Sequence, residues 1–283
     1  MLANIKKTLF VVLLLIVVIP RSASAHEPRI VANHETVVSD PEISKAYYGQ
    51  LTGVPDVFTI VATTTFDLYV NVLVPDIAGQ EKDISASILK DGKPFAVLDG
   101  SHFTWTTMFE PFGYDTYWTG PEYRATVDAG TYTIQVTSAT SDSKYSLAIG
   151  ETENFDFKEI MNALTLVPQL KRTFFDESPI SFILSPFGWG LILTLYVVAG
   201  IVGLVYRLIL RKFTKSKVRG LGKNIGVKDR LMRLVIGIAL LLFAIATSWN
   251  ILLIFLSGFA VFEALFSWCG LYAVLGRNTC PVE

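Results

Sequence analysis

The final third of this chain is dominated by uninterrupted apolar runs, and those runs limit what it can become. From 187 to 210 no charged residue appears before Arg207, and two more apolar stretches follow at about 231–247 and 251–266. A helix of roughly 22 apolar residues, rising ~1.5 Å per residue, matches the ~30 Å hydrocarbon core of a bilayer. Trp189 and Tyr206 stand near the ends of the first run, where aromatic side chains anchor spans at the interface. Only Ser248-Trp249-Asn250 separates the second and third runs, which predicts a tight helical hairpin. Gly237 and Gly258 are small residues that let its helices approach closely.

Between the first and second runs lies the basic stretch 207–233. It carries Arg207, Arg211, Lys212, Lys215, Lys217, Arg219, Lys223, Lys228, Arg230 and Arg233 against the single acid Asp229. Lys and Arg beside membrane spans stay on the cytoplasmic side, so this stretch sets the expected sidedness of every other segment. The same charges predict contact with anionic lipid headgroups, at roughly 1 kcal/mol per charge near the surface. Residues 26–187 hold 22 acids and 10 bases, a balance of 22 − 10 = 12 negative charges. That acidic half is poorly suited to nucleic acid.

The N-terminus reads as a signal peptide, 1–25. Lys6 and Lys7 precede an apolar run of about a dozen residues, and Ala23-Ser24-Ala25 supplies the small residues a signal peptidase needs. Residues 57–61, 66–74, 84–89, 94–98, 123–127, 131–137 and 144–149 alternate in strand fashion, with turn signals at Asp91-Gly92 and Asp128-Ala129-Gly130. This pattern predicts an antiparallel β-sandwich. The run Ala129-Gly130-Thr131-Tyr132-Thr133-Ile134-Gln135-Val136, followed by Lys144-Tyr145-Ser146-Leu147-Ala148-Ile149, resembles the last strands of bacterial pre-peptidase C-terminal-type sandwiches.

In 154–186, Phe157, Ile160, Met161, Leu164 and Val167 recur at helical spacing, and Pro168 is expected to end or kink the helix. Two readings fit equally: an amphipathic juxtamembrane segment at the bilayer surface, or a helix packed on the sandwich.

Near the C-terminus the spacing is more particular. Asn224-x-Gly226-x-x-Asp229-Arg230-x-x-Arg233-x-x-x-Gly237 precedes the second run. Cys269-x-x-Tyr272-x-x-Leu275-Gly276-x-Asn278-Thr279-Cys280 follows the third. These residues resemble the small YgaP-like transmembrane domain, with Gly270 where that family often has Pro. The resemblance implies a membrane hairpin that can self-associate. The family's occasional sulfur-handling rhodanese partner has no counterpart here. From residue chemistry alone, Asn224 and Asp229 are expected to cap the first helix of the hairpin, with Asp229 paired to Arg230 or Arg233.

The expected plan is a multi-domain membrane protein: an exported antiparallel β-sandwich followed by three transmembrane α-helices, one anchor helix plus a helical hairpin. Its parts are a signal peptide 1–25, a sandwich domain with an N-terminal tail 26–153, the amphipathic segment 154–186, a span 187–210, a basic cytoplasmic loop 211–223 and a two-helix domain with a cytoplasmic tail 224–283. The expected location is the bacterial inner membrane.

Four candidate sites follow. Glu263 is an acid inside an apolar run, costly there unless Arg230, Arg233 or the interface satisfies it. Cys269 and Cys280, the chain's two cysteines, are open to a structural, thiol or soft-metal role. His26, His34 and His102 are the three histidines, and cleavage after Ala25 would give His26 a free amine able to chelate copper with the other two. Finally, residues 103–123 crowd Trp105, Phe109, Tyr114, Tyr117 and Trp118 among turn residues, which predicts either a binding loop or a loop folded over the sandwich edge. No phosphate loop, dinucleotide fingerprint, Gly-x-Ser-x-Gly or zinc helix motif is present. The composite reading is a non-enzymatic, membrane-anchored protein whose sandwich binds a partner or helps assemble a membrane complex. Copper binding at His26 and a thiol function of the terminal hairpin are the alternatives.

Overall fold

The computed structural model describes residues 26–140, 142–154, 156–213 and 222–280, with only the backbone described at Phe157 and 211–213. The expected signal peptide and most of the basic loop lie outside the described residues. The chain divides into two compact units, one ending at Ser185 and one beginning at Pro186.

Among the described residues the first unit holds eleven strands: β1 (Glu27–Ile30), β2 (Glu35–Val37), β3 (Lys45–Gln50), β4 (Asp56–Ala62), β5 (Phe66–Pro75), β6 (Ser85–Lys90), β7 (Lys93–Leu98), β8 (Thr106–Glu110), β9 (Asp115–Val127), β10 (Gly130–Thr137) and β11 (Lys144–Ile149). They form a six-stranded sheet, β1-β3-β11-β5-β9-β8, and a five-stranded sheet, β2-β4-β10-β6-β7. Alternation supplies the core between them. Phe58 and Ile60 of β4, Leu68, Val70, Val72 and Val74 of β5, Ile134 and Val136 of β10, and Tyr145 and Leu147 of β11 are all fully buried there. At roughly 1.5–3 kcal/mol for each large side chain removed from water, this core is the main stabiliser of the unit.

The sandwich departs from the expected all-antiparallel arrangement at two edges. β1 lies parallel to β3, and β2 parallel to β4. The chain crosses to the other sheet as β2 before returning as β3, then crosses again for β4. Each returning strand therefore runs in the direction of the one it joins.

The aromatic stretch is also more ordered than a loop. β8 and β9 form an antiparallel hairpin pairing Thr106 with Thr119 and Glu110 with Asp115, closed by residues 111–114. Gly120 and Pro121 do not break β9. The register of β9 against β5 shifts between Asn71 and Leu73, which marks one extra residue in β9 as a bulge. The buried Asn71 donates its Nδ2 to Gly120 O at 3.2 Å and Pro121 O at 3.4 Å, satisfying carbonyls the bulge frees. A Cβ at Gly120 would meet the Trp105 ring at 2.5 Å, so the bulge requires glycine.

After the sheets comes α1 (Phe157–Thr173), capped by Asp156, which accepts from Glu159 N at 2.8 Å. Its apolar face, Ala163, Val167 and Leu170, is buried together with Phe174 and Phe175. Leu170, Phe174 and Phe175 pack with Leu73, Tyr117 and Ala148 on the outer face of the six-stranded sheet. The helix continues through Pro168 instead of ending there: one backbone rung is lost, and the packing on either side outweighs it. With α1 in place, Val70 to Pro75 of β5 is buried on both faces. A 3₁₀ turn, Pro179–Leu184, closes the unit.

The second unit holds α2 (Pro186–Phe213), α3 (Val227–Thr247), α4 (Ile251–Phe266) and α5 (Gly270–Leu275). Among the described residues two helices, α2 over Pro186–Leu210 and α3, are long and apolar enough to cross a membrane. The third expected span is shorter: α4 has 16 residues, about 24 Å at ~1.5 Å each. It is capped by Asn250, which accepts from Leu253 N, and it stops at Ser267, whose φ of 53° is left-handed. α4 packs against both α2 and α3. Gly237 of α3 accepts from Ser257 Oγ at 2.7 Å, and Ser257 Oγ also lies 2.7 Å from Tyr196 Oη of α2. One hydroxyl of α4 thus ties in both neighbours, at positions where glycine admits close backbone approach.

Candidate functional site

In the sandwich unit, the notable chemistry collects on the β8–β9 hairpin. Its α1-facing side lines a cavity of about 50 Å³, room for a few waters. Glu110, Asp115 and Tyr117 from the hairpin meet Tyr48 of β3 and Leu170 of α1 there. Tyr48 and Tyr117 place their hydroxyls 3.0 Å apart. Glu110 turns back over the hairpin loop, accepting from Phe112 N at 2.6 Å and Gly113 N at 2.7 Å. Burial pushes its carboxyl up to about 7, against the two backbone donors that pull the other way. Burial likewise raises Asp115, to about 6, although Lys171 opposes the shift. Burial also pushes both tyrosine hydroxyls far up.

Lys171 of α1 is fully buried, and its ammonium donates to Asp115 Oδ1 at 2.6 Å and Tyr114 O at 3.2 Å. The sequence pattern assigns no role to Lys171. It lies one residue after Leu170 on the helix, and only the pairing with Asp115 explains why it turns inward. The segment after α1 is tied to the same hairpin, because the buried Ser185 donates its hydroxyl to Phe112 O.

The expected aromatic platform is split. Tyr117 is buried under α1, edge-on to Phe175 at 5.2 Å. Trp105 and Trp118 are half-buried against the sandwich core, their indole N–H groups donating to Gly100 O and Asp76 Oδ1. Phe109, 53% exposed, and Tyr114, 43% exposed, form an outward pair with ring centroids 5.1 Å apart, while Met108 points to the other face and borders the cavity.

The copper candidates are not brought together. His26 meets Ser44, His34 meets Asp56 at 2.7 Å, and His102 meets Asp99 at 2.8 Å. Among the described residues no group of three His, Cys, Asp or Glu side chains is placed to hold a metal ion. Each ring is held by a neighbour of its own, in a different part of the fold.

In the helical unit, the spaced polar residues close a knot. Asn224 does not cap α3, whose N-cap is Gly226. It bridges to Cys269 instead, donating to Cys269 O at 2.9 Å and accepting from Cys269 N at 2.8 Å. Thr279 N donates to Asn224 O at 3.1 Å, and Thr279 Oγ1 accepts from Gly226 N at 3.0 Å and donates to Asp229 at 3.1 Å. Arg233 pairs with Glu263 across α3 and α4, lies 3.5 Å from Asp229, and covers the Tyr272 ring at 5.1 Å. Arg230 donates Nε to Ala264 O at 2.8 Å. Glu263 therefore has a structural partner. Cys269 is buried and Cys280 partly so, and both are free thiols.

Residues 221–283 match the family model "Inner membrane protein YgaP-like, transmembrane domain". The knot joins both ends of that YgaP-like stretch, so its spaced polar residues are accounted for as contacts between α3, the end of α4 and the C-terminal segment. The match supports membrane integration of this part. No curated protein matches the sequence.

Among solved structures, the pre-peptidase C-terminal domain of a collagenase from Bacillus anthracis aligns with 44% of this chain and 96% of its own, at 12% identity and a TM-score of 0.26. A family 35 carbohydrate-binding module from an environmental isolate aligns with 35% of this chain and 68% of its own, at 13% identity and a TM-score of 0.23. A β-glucosidase from Paenibacillus barengoltzii aligns over 44% of this chain and 13% of its own, at 11% identity and a TM-score of 0.23.

Proposed function

We propose that this is a membrane-anchored binding protein whose sandwich recognises a partner, or helps assemble a membrane complex, through the β8–β9 hairpin. The supporting observation is the hairpin's two-sided construction. One side is clamped to α1 by a fully buried lysine, while the other presents Phe109 and Tyr114 to solvent. Rigid backing with exposed aromatic side chains is how binding surfaces keep affinity without a large ordering cost.

In this reading the apolar helices sit in the bacterial inner membrane, with α4 as a third, shorter crossing. The basic stretch 207–233 stays cytoplasmic against anionic headgroups, the acidic sandwich is exported by the segment 1–25, and the C-terminus is cytoplasmic. The density of Lys and Arg between the runs supports that sidedness. The YgaP-like hairpin contributes anchoring, and self-association of the kind its family shows is open to it.

The test is a photo-crosslinking amino acid at Phe109 in the full chain in its native membrane, with Val97 of β7 as the control position. A discrete adduct at 109, absent at 97 and lost in Tyr114→Asp, supports the reading. Equal labelling at both positions refutes it. A reporter active only outside the cytoplasm, fused at Ser216, tests sidedness: activity there inverts the topology.

A further inference from the structure

The four outer edges of the two sheets are not protected alike. β1 is covered: Asn162 of α1 donates to Pro28 O at 3.4 Å, and Arg29 bridges to Glu159 of α1 at 2.8 Å. β2 has only three residues. β7 carries Lys93 and Pro94 in its pairing with β6, and its register breaks between Ile88 and Leu89. Short length, Lys, Pro, irregularity and a covering helix are the devices by which natural sheets prevent edge-to-edge pairing. β8 has none of them. It runs five residues, Thr106-Thr107-Met108-Phe109-Glu110, with regular pairing to β9 and no strand on its other side among the described residues. Thr106 through Phe109 are all exposed.

We infer that β8 is the seam of a homodimer, in which β8 of one copy pairs antiparallel with β8 of a second and joins the two six-stranded sheets. This rests on the hairpin being the binding surface proposed above and names its occupant. Two observations favour a second copy. First, the strand is self-complementary about its midpoint. Pairing centred on Met108 sets Met108 against Met108 and Thr107 against Phe109, an aromatic–β-branched combination that stabilises antiparallel sheets. Second, the edge brings no repulsion of its own. Its one charged residue, Glu110, is folded back onto the amides of Phe112 and Gly113, so two copies meet without opposed exposed charges. A partner strand of another protein would need no such symmetry.

Single cysteines at Thr107, Met108, Phe109 and, as control, Val97 test this in the full chain in membranes, with Cys269→Ser and Cys280→Ser. Facing residues of an antiparallel pair have Cα separations of about 4.5–5.5 Å, within reach of a disulfide. The expected result on mild oxidation is dimer from the Met108 position exceeding Val97 by at least tenfold, and abolished by Thr107→Pro, which removes an edge N–H. Unchanged elution of Thr107→Pro in detergent establishes that it is folded. Absence of position-dependent dimer, together with a photo-adduct to a different protein at Phe109, overturns the homodimer and leaves the binding reading intact. Absence of both overturns both.

Discussion

Replacing Glu110 with Gln should change how the sandwich unit responds to pH, in a direction its surroundings dictate. Burial raises the Glu110 carboxyl from 4.5 to about 7, so between those values the folded chain holds a proton that the unfolded chain has released. Stability then falls as pH rises through this window and levels off above 7. At ~1.4 kcal/mol per unit, the shift corresponds to a cost of up to about 3 kcal/mol at pH 8. Gln carries no charge and pays none of this. It keeps one oxygen for the amides of Phe112 and Gly113, and the poorer second contact costs about 1 kcal/mol. The variant should therefore be less stable than the parent by about 1 kcal/mol near pH 4.5 and more stable by about 2 kcal/mol at pH 8. For a unit of this size that is a gain of about 4–8 °C at pH 8. Thermal unfolding of the detergent-solubilised chain, followed by near-UV circular dichroism at half-unit pH steps, gives both slopes. Asp115, raised to about 6, should leave the variant a residual slope below pH 6. Parallel curves for the two proteins across pH 6–7 would refute the placement of Glu110 as a buried, unneutralised acid.

Lys171→Met should destabilise the unit by about 3–5 kcal/mol, because Asp115 is left buried without its cation, and adding Asp115→Leu should recover most of the loss in urea titrations. Asn224→Ala orphans the amide and carbonyl of Cys269, at about 1–3 kcal/mol each. In a Cys280→Ser background it should speed reaction of Cys269 with a membrane-permeant maleimide at least tenfold. Gly237→Leu forces a side chain into the space where even a Cβ would meet Val261 at 2.9 Å, and should cost the helical unit about 1–3 kcal/mol in detergent melts. Gly222→Leu, with nothing within 4 Å of its Cβ, should leave the same melts unchanged.

What could be read in advance followed from periodicity. β4 to β7, β10 and β11 alternate cleanly and were legible, as were α2 and α3, whose run-length speaks without context. β1 to β3 were not, because short parallel edge strands owe their conformation to neighbours that the local pattern does not name. The hairpin 106–119 was masked by Gly113, Gly120 and Pro121, which signal breaks unless a bulge and Asn71 accommodate them. Lys171 was illegible for a simpler reason: a buried ammonium looks like any surface lysine until its carboxylate is found 56 positions away. The spacing of Asn224, Gly226, Asp229, Arg233, Cys269 and Thr279 was visible, but its meaning as hydrogen bonds to one another was not.

The double burial of Val70 to Pro75 makes β5 a party wall. In a sheet with one wet face, sliding a strand by one residue exposes its apolar row to water. Here a slide would exchange a valine row fitted to the opposing sheet for Asn71 and Leu73, which are fitted to a bulge and a helix. Neither neighbour could take the other's furniture, so the alignment of β5 is enforced from two sides at once, and a lesion on either side should be felt on the other.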